Sequence, residues 1–346
     1  MLELDDLDKR LLNTIQAEFP MEPRPFRVLG EALGASEDEV LRRIVRLKDA
    51  EIIRQLSAIF DTRSLGYQSS LVAMNVDPAQ VNEAAEVINT HPGVSHNYKR
   101  NHAFNLWFTI ALPPASSLEG TVQRLHELAG ANSTRLLPTL RLFKIGVKLD
   151  MTGEDGLVGG GPSYTHETRE KAKEYPITSR DIDVIRALQE DLPVVPEPFA
   201  EAAAQIGMTV PALLDWGKQL QAAGHLRRFA AILYHRRAGF SANAMGVWKV
   251  PGERALEVGA MMGTFNPVSH CYLRPVYEDW PYNIFTMIHG RKARDCEDTL
   301  QAIAEATGIR EYAVLYSSKE YKKTRVRYFT PELDQWEEEH LGVTAR

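Results

Sequence analysis

The chain has 346 residues, 44% of them hydrophobic and 25% charged, a soluble composition long enough for two or more cores. Its net charge of −6 supplies no global attraction to nucleic acid, so any anion site must be a local cluster. No apolar run approaches the roughly 18 residues of a membrane span, and the acidic opening Met-Leu-Glu-Leu-Asp-Asp lacks the basic region of a secretory signal. Cys271 and Cys296 lack the spacing of a metal or redox pair, and the expected location is cytoplasmic.

In chain order, Leu4, Leu7, Leu11 and Ile15 form one helical stripe. A second helix is expected from Pro25 to a stop at Gly34. A third starts at Ser36, with Glu39 completing a capping box, and buries Val40, Ile44 and Leu47. With Ile52-Ile53-Arg54 entering a strand, residues 1–62 read as a helix-turn-helix with a short wing. Residues 63–150 follow as strand 69–76, helix 79–90, strands 93–100 and 104–111, helix 116–130 and strand 139–148, the ferredoxin-like βαββαβ order. Residues 151–176 contain a glycine-rich linker. A second helix-turn-helix is expected over 177–236 and a second βαββαβ domain over 237–346. The fold class is α+β, built by tandem duplication.

The duplication shows most clearly at residues 92–100 and 266–274, which both contain Val-Ser-His-x-Tyr-x-Arg. Residues two apart on a strand share a face, so His96, Tyr98 and Arg100 project together, as do His270, Tyr272 and Arg274. Each sheet has one face covered by its helices. The other is free to pack on the second sheet or to hold a ligand, which predicts a pseudo-dimer within one chain.

A helix-turn-helix followed by βαββαβ resembles the Lrp/AsnC regulators. Residues 100–109, Arg-Asn-His-Ala-Phe-Asn-Leu-Trp-Phe-Thr, depart from that family's sensor strand. These residues, the run from Trp280 to His289, the run from Leu315 to Lys322 and both Val-Ser-His-x-Tyr-x-Arg strands resemble siroheme decarboxylase, in a form that fuses its two related subunits. The resemblance implies removal of carboxyl groups from two acetate side chains of siroheme, giving didecarboxysiroheme for haem or for the denitrification haem. It implies no cofactor beyond the iron of the substrate. Siroheme is the implied partner, with downstream tetrapyrrole-pathway enzymes and further oligomerisation left open.

A polycarboxylate substrate needs cations, and a guanidinium grips a carboxylate in bidentate fashion. Arg100 and Arg274 are therefore the candidate clamps, with Tyr98, Tyr272, Asn105 and Asn283 as further polar contacts and Trp107 and Tyr282 as flat walls. Loss of carbon dioxide leaves a carbon that must be protonated, and histidine suits that task near neutral pH. His96, His102 and His270 are the catalytic candidates. Lys319, Lys322, Lys323, Arg325 and Arg327 form a basic run, either a substrate surface or a solvated edge strand. The alternatives are a DNA-binding regulator and a non-catalytic haem sensor. The first candidate recognition helix has Arg42, Arg43, Arg46 and Lys48, whereas the second has Asp215, Trp216, Gln219 and Gln221, so DNA binding is expected to be weak or absent.

Overall fold

A computed structural model describes residues 2–145, 172–234 and 242–342. The first half contains α1 (Asp6–Ala17), α2 (Pro25–Leu33), α3 (Glu37–Asp49), β1 (Ile53–Phe60), β2 (Gln68–Asn75), α4 (Val81–Thr90), β3 (Val94–Arg100), β4 (Leu106–Leu112), α5 (Leu118–Leu128), β5 (Ser133–Pro138) and β6 (Arg141–Ile145). The second contains α6 (Ser179–Leu188), α7 (Ala200–Gln205), α8 (Val210–Ala222), β7 (Leu226–Leu233), β8 (Ala242–Trp248), α9 (Ala255–Gly263), β9 (Val268–Leu273), β10 (Ile284–Gly290), α10 (Ala293–Thr307), β11 (Tyr312–Leu315), β12 (Ser317–Lys323) and α11 (Glu332–Leu341). Of the expected linker, residues 151–171 lie outside the described residues. No helix among the described residues is long and apolar enough to cross a membrane.

The helix-turn-helix units form as their local chemistry requires. Gly34 takes the left-handed conformation, φ 71°, that closes α2. The Ser36 hydroxyl accepts from Glu39 N–H at the start of α3. The Glu39 carboxylate does not complete the expected box; it is held by Arg42 and Arg43. The wing is also different from a hairpin. β1 pairs antiparallel with β7, its own counterpart in the second half, so the two wings make one ribbon and the helix-turn-helix units share one core.

The expected strand 139–148 is found as β6, while an unexpected strand, β5, precedes it, and Pro138-Thr139-Leu140 turns the chain between the two; residues 146–148 lie outside the described residues. This division sets the topology. The first sheet has the order β12-β3-β4-β2-β5 and the second β11-β8-β10-β9-β6. Each half therefore completes its own four-stranded ferredoxin-like sheet and gives one edge strand to the other. Ridges of the exchanged strand pack closely: a Cβ on Gly259 of α9 would lie 2.2 Å from the Phe143 ring of β6, so only glycine admits that ring. α11 also crosses, seating Leu333 and Trp336 on the helical layer of the first half, with Trp336 4.3 Å from His91.

Alternation along the strands divides each sheet into two faces. Leu106, Phe108, Ile110 and Leu112 meet α4 and α5, and Ile284 and Ile288 meet α9 and α10. Trp107 from one sheet and Phe285, Met245 and Val247 from the other share a single apolar cluster. The uncovered faces thus pack on each other, as their apolar content demands.

Candidate active site

On β3, Asn97 turns to the helical layer, donating to Ala85 O and Asn89 Oδ1; on β9, Cys271 does the same. His96, Tyr98, Arg100 and His270, Tyr272, Arg274 consequently face the space between the sheets. His96 Nδ1 lies 3.0 Å from Ser95 Oγ and His270 Nδ1 2.8 Å from Ser269 Oγ. Ser269 donates its own proton to Met287 O, so its oxygen accepts from His270 Nδ1–H. Hydrogen-bond logic therefore leaves His270 Nε2 as the basic nitrogen. Both rings are deep in the molecule yet partly exposed, which is the mark of a cavity lining rather than of packed core.

Burial dominates the electrostatics. It pushes His96 down to about 4, helped by Lys323 and Arg54. It pushes His270 down to about 3, helped by His289, Arg227, His96 and Arg274. His289 is likewise depressed to about 4, by burial and then Lys323. Arg228 and Arg325 fall to about 10, by burial and by neighbouring arginines. The wing ribbon and the exchanged strands bring these cations together. Arg54 Nη2 donates to Lys323 O at 2.6 Å, and its counterpart Arg227 to Ile145 O at 3.2 Å. Arg325 donates to Ser57 on the wing. The neighbouring charges that depress His96, His270 and His289 are cationic, and Glu320 lies 4.0 Å from Lys323.

The candidate residues divide into two groups. His96, His270, Tyr98 and Tyr272 are partly exposed toward the space between the sheets, and none of them borders the two clefts beside segment 324–328. Arg100 and Arg274 are 5% and 7% exposed, and they donate to Leu315 O and Leu137 O, each on a strand of the opposite half. Their guanidiniums stack on Tyr98 at 5.5 Å and Tyr272 at 4.7 Å. Each is a bolt between the sheets, which departs from the expected clamp. Asn105 exchanges two hydrogen bonds with the Val76 backbone, and Asn283 two with Val250. These two bonds tie each amide to a strand end and leave it one further N–H and one further lone pair. Trp107 and Tyr282 are not ring walls either, since both pack on Trp280 at 5.2 Å. His102 sits in that aromatic cluster, also 5.2 Å from Trp280, with Nδ1 accepting from Phe104 N–H. It stands in the connection between β3 and β4 rather than on a motif strand.

His289, Lys323, Arg54, Arg227, Arg228 and Arg325 are the functional candidates that the motif alone does not point to. Alternation on β10 from Phe285 signals the inward direction of His289. Lys323 is inward because β12 pairs with β3, opposite His96, which no local pattern encodes. The rest of the basic run turns away: Lys319 to Asn82, Lys322 to Asn89 O and His91 O, Arg327 to Glu190.

The recognition helix α3 spends its cations inside the protein. Arg43 binds Asp5, Asp8 and Glu39; Arg46 binds Asp8; Arg42 binds Glu39; Lys48 binds Asp191. Asp8 is 0% exposed. Its counterpart Asp181 accepts instead from Trp216 Nε1 at 2.8 Å.

Two clefts flank segment 324–328. One, of about 510 Å³, is bounded by Tyr67, Gly93, Ala111 and Arg325. The other, of about 320 Å³, is bounded by Arg54, Gln55, Phe60 and Arg325. Both volumes fall in the range of small-molecule sites, and both reach the arginines of the cavity.

Comparison with known proteins accords with this architecture. The AsnC-like ligand binding domain matches residues 64–144 and 237–322. The siroheme decarboxylase NirDL-like HTH domain matches residues 8–54 and 181–227. The siroheme decarboxylase of Hydrogenobacter thermophilus is 39% identical, over 98% of this chain and 99% of its own. The siroheme decarboxylase beta subunit of Methanosarcina barkeri is 46% identical, over 42% of this chain and 97% of its own, so a single half corresponds to a whole subunit there. The crystal structure of the siroheme decarboxylase NirDL in co-complex with an iron-uroporphyrin III analogue superposes with a TM-score of 0.73 at 34% identity, over 98% of this chain and 99% of that one. With full-length similarity and both kinds of domain duplicated, the chain belongs to the siroheme decarboxylase family.

Proposed function

We propose that this chain is a carboxy-lyase that removes the carboxyl groups of two acetate arms of siroheme, within the cavity between the wing ribbon and the two sheets. The observation that carries this reading is the set of part-buried cations, Arg54, Arg227, Lys323 and Arg325 among them, around two motif histidines. Cations drawn together in a low-dielectric setting attract an anion strongly. A polycarboxylate ligand supplies that anion, and the iron arrives with the ring as part of the substrate.

The chemistry suits the side chains. The bond between acetate methylene and carboxyl breaks, carbon dioxide leaves, and the electron pair is delocalised into the conjugated ring before the methylene carbon takes a proton. Of the motif histidines His96 and His270, at least one presents the nitrogen for that proton. Burial and neighbouring cations keep both neutral before substrate binds. A carboxylate placed beside them favours the charged imidazolium, so substrate binding itself loads the acid. Tyr98 and Tyr272 supply hydroxyls next to these rings on the same faces.

Anaerobic incubation of the purified protein with siroheme, followed by product mass, tests the reading. Successive loss of two carbon dioxide units is the expected result. Tight binding with unchanged mass would make the protein a tetrapyrrole sensor instead.

A further inference from the structure

The two halves of the cavity share a scaffold and differ in chemistry. The offset of 178 that aligns Asn105 with Asn283 also aligns Ala111 with His289. Backbone hydrogen bonds agree: Ala111 N–H donates to Gly93 O and His289 N–H to Pro267 O, the same turn in each half. The same offset aligns Ile145 with Lys323, and each pairs with a motif histidine, Lys323 with His96 and Ile145 with His270. Across the other side of the strand, Thr109 opposes His96 where Met287 opposes His270. One half therefore offers an imidazole beside an ammonium. The other offers two imidazoles, with Met287 and Ile145 in place of Thr109 and Lys323.

His289 shares the cavity face of β10 with Met287, the partner of His270, and lies two positions further on. Diagonal neighbours on such a face are about 7–8 Å apart, within reach of ring side chains. The charged groups facing this pair are Arg227 from β7, His96 from β3, Arg274 at the end of β9 and Lys323 from β12. Two imidazoles in such company do not both ionise; once a bound carboxylate favours the charged form, they share a single added proton.

We propose that the second half of the cavity delivers the proton, with His289 acting through His270 as a relay, while Lys323, Arg54 and His96 in the first half anchor a carboxylate that is retained. This assignment rests on the decarboxylase reading above. In the step, the methylene–carboxyl bond breaks and carbon dioxide departs. The electron pair left on the methylene carbon takes the proton of His270 Nε2 to give a methyl group. His289 then returns a proton to His270 and is itself refilled from water. Because one half does the protonation, the singly decarboxylated ring must turn and rebind before its second loss.

The test compares wild type with His289→Ala, His289→Gln, Ala111→His, His270→Ala and His96→Ala. Siroheme binding is followed optically, and anaerobic turnover by mass across pH. His270→Ala is expected to lower kcat by about 10²–10⁴-fold, and both His289 variants by about tenfold with unchanged affinity and a displaced pH–rate profile. His96→Ala should act mainly on KM, and Ala111→His should not raise kcat. The glutamine variant keeps the ring's volume should the alanine variant fail to fold. pH–rate profiles of the His289 variants that superimpose on wild type would overturn the relay. A kcat loss in His96→Ala equal to that in His270→Ala would overturn the division of labour. A wild-type protein that leaves siroheme unchanged would instead sink the decarboxylase reading itself, so the two failures are distinguishable.

Discussion

Lys323, in the last strand of the chain, pairs with His96 of the first half across the β12–β3 ladder. An ammonium from one half is thereby placed beside an imidazole of the other, and the cavity cannot be complete within either half alone. Replacing Lys323 by isoleucine, the residue at the equivalent position 145, removes that cation without altering the strand. A charge-assisted bond is worth about 1.5–3 kcal/mol, so siroheme affinity should weaken roughly tenfold or more, read by optical titration. Unchanged affinity would mean that no substrate carboxylate lies beside Lys323.

Arg100 and Arg274 hold the sheets together through Leu315 O and Leu137 O. Truncating either to alanine leaves a buried carbonyl without its donor, at a cost of about 1–3 kcal/mol. Urea denaturation should register that loss for each variant, while siroheme affinity of the folded fraction stays near wild type. The reverse pattern, normal stability with poor binding, would restore both arginines as substrate clamps.

Exchange of edge strands predicts mutual dependence of the halves. A polypeptide of residues 1–150 lacks β12, so β3 becomes an exposed edge and the face bearing His96 opens to water. Expressed separately, each half should be insoluble or self-associated; co-expressed, they should form a soluble one-to-one complex that binds siroheme. A monomeric, cooperatively folding single half would contradict the exchanged topology.

Acid lability follows from the neutral buried histidines. His91, His96, His270 and His289 titrate at about 3 to 4 in the folded protein, against an unfolded value near 6.5. Below about pH 6.5 the unfolded chain binds protons that the folded chain refuses, so stability is complete above that pH and declines as pH falls toward 4. Each histidine contributes a slope of up to about 1.4 kcal/mol per pH unit. Thermal unfolding of ligand-free protein at pH 7, 6 and 5 should show the decline. Bound siroheme should flatten it, with proton uptake on binding measurable by calorimetry in buffers of different ionisation enthalpy. A stability flat between pH 7 and 5 would show that these rings protonate freely in the folded state.

The ion pairs of α3 make a DNA-binding role costly. Removing Asp8 takes one carboxylate from Arg43, which keeps Asp5 and Glu39, and another contact from the half-exposed Arg46, a loss of about 1.5–3 kcal/mol for hydrogen bonds to charged groups. Asp8→Ala should therefore unfold more readily and gain only salt-sensitive, non-specific DNA affinity. Nanomolar, sequence-selective binding by the wild-type chain would show that α3 is released from these contacts.

Much was legible without coordinates. Periodicity placed the three helices of each helix-turn-helix, and Ser36 and Gly34 marked ends that the backbone adopts. The repeated Val-Ser-His-x-Tyr-x-Arg disclosed the duplication, and strand alternation put His96 and His270 on one kind of face. These are local properties, set by the period of a helix or strand and by the chemistry of caps and turns. The destination of a side chain across the molecule is a different matter. Alternation could say that Arg100 and Arg274 point inward, but only packing showed that their partners are carbonyls of the opposite half. Asn105 and Asn283 carried the same polar signal as a ligand contact, and the nearness of Val76 and Val250 made them strand-end ties. Lys323 meets His96 because β12 changes sheets. Pairing between strands far apart in sequence depends on which edges remain open after each half has folded, and that competition is resolved only when the whole chain closes on itself.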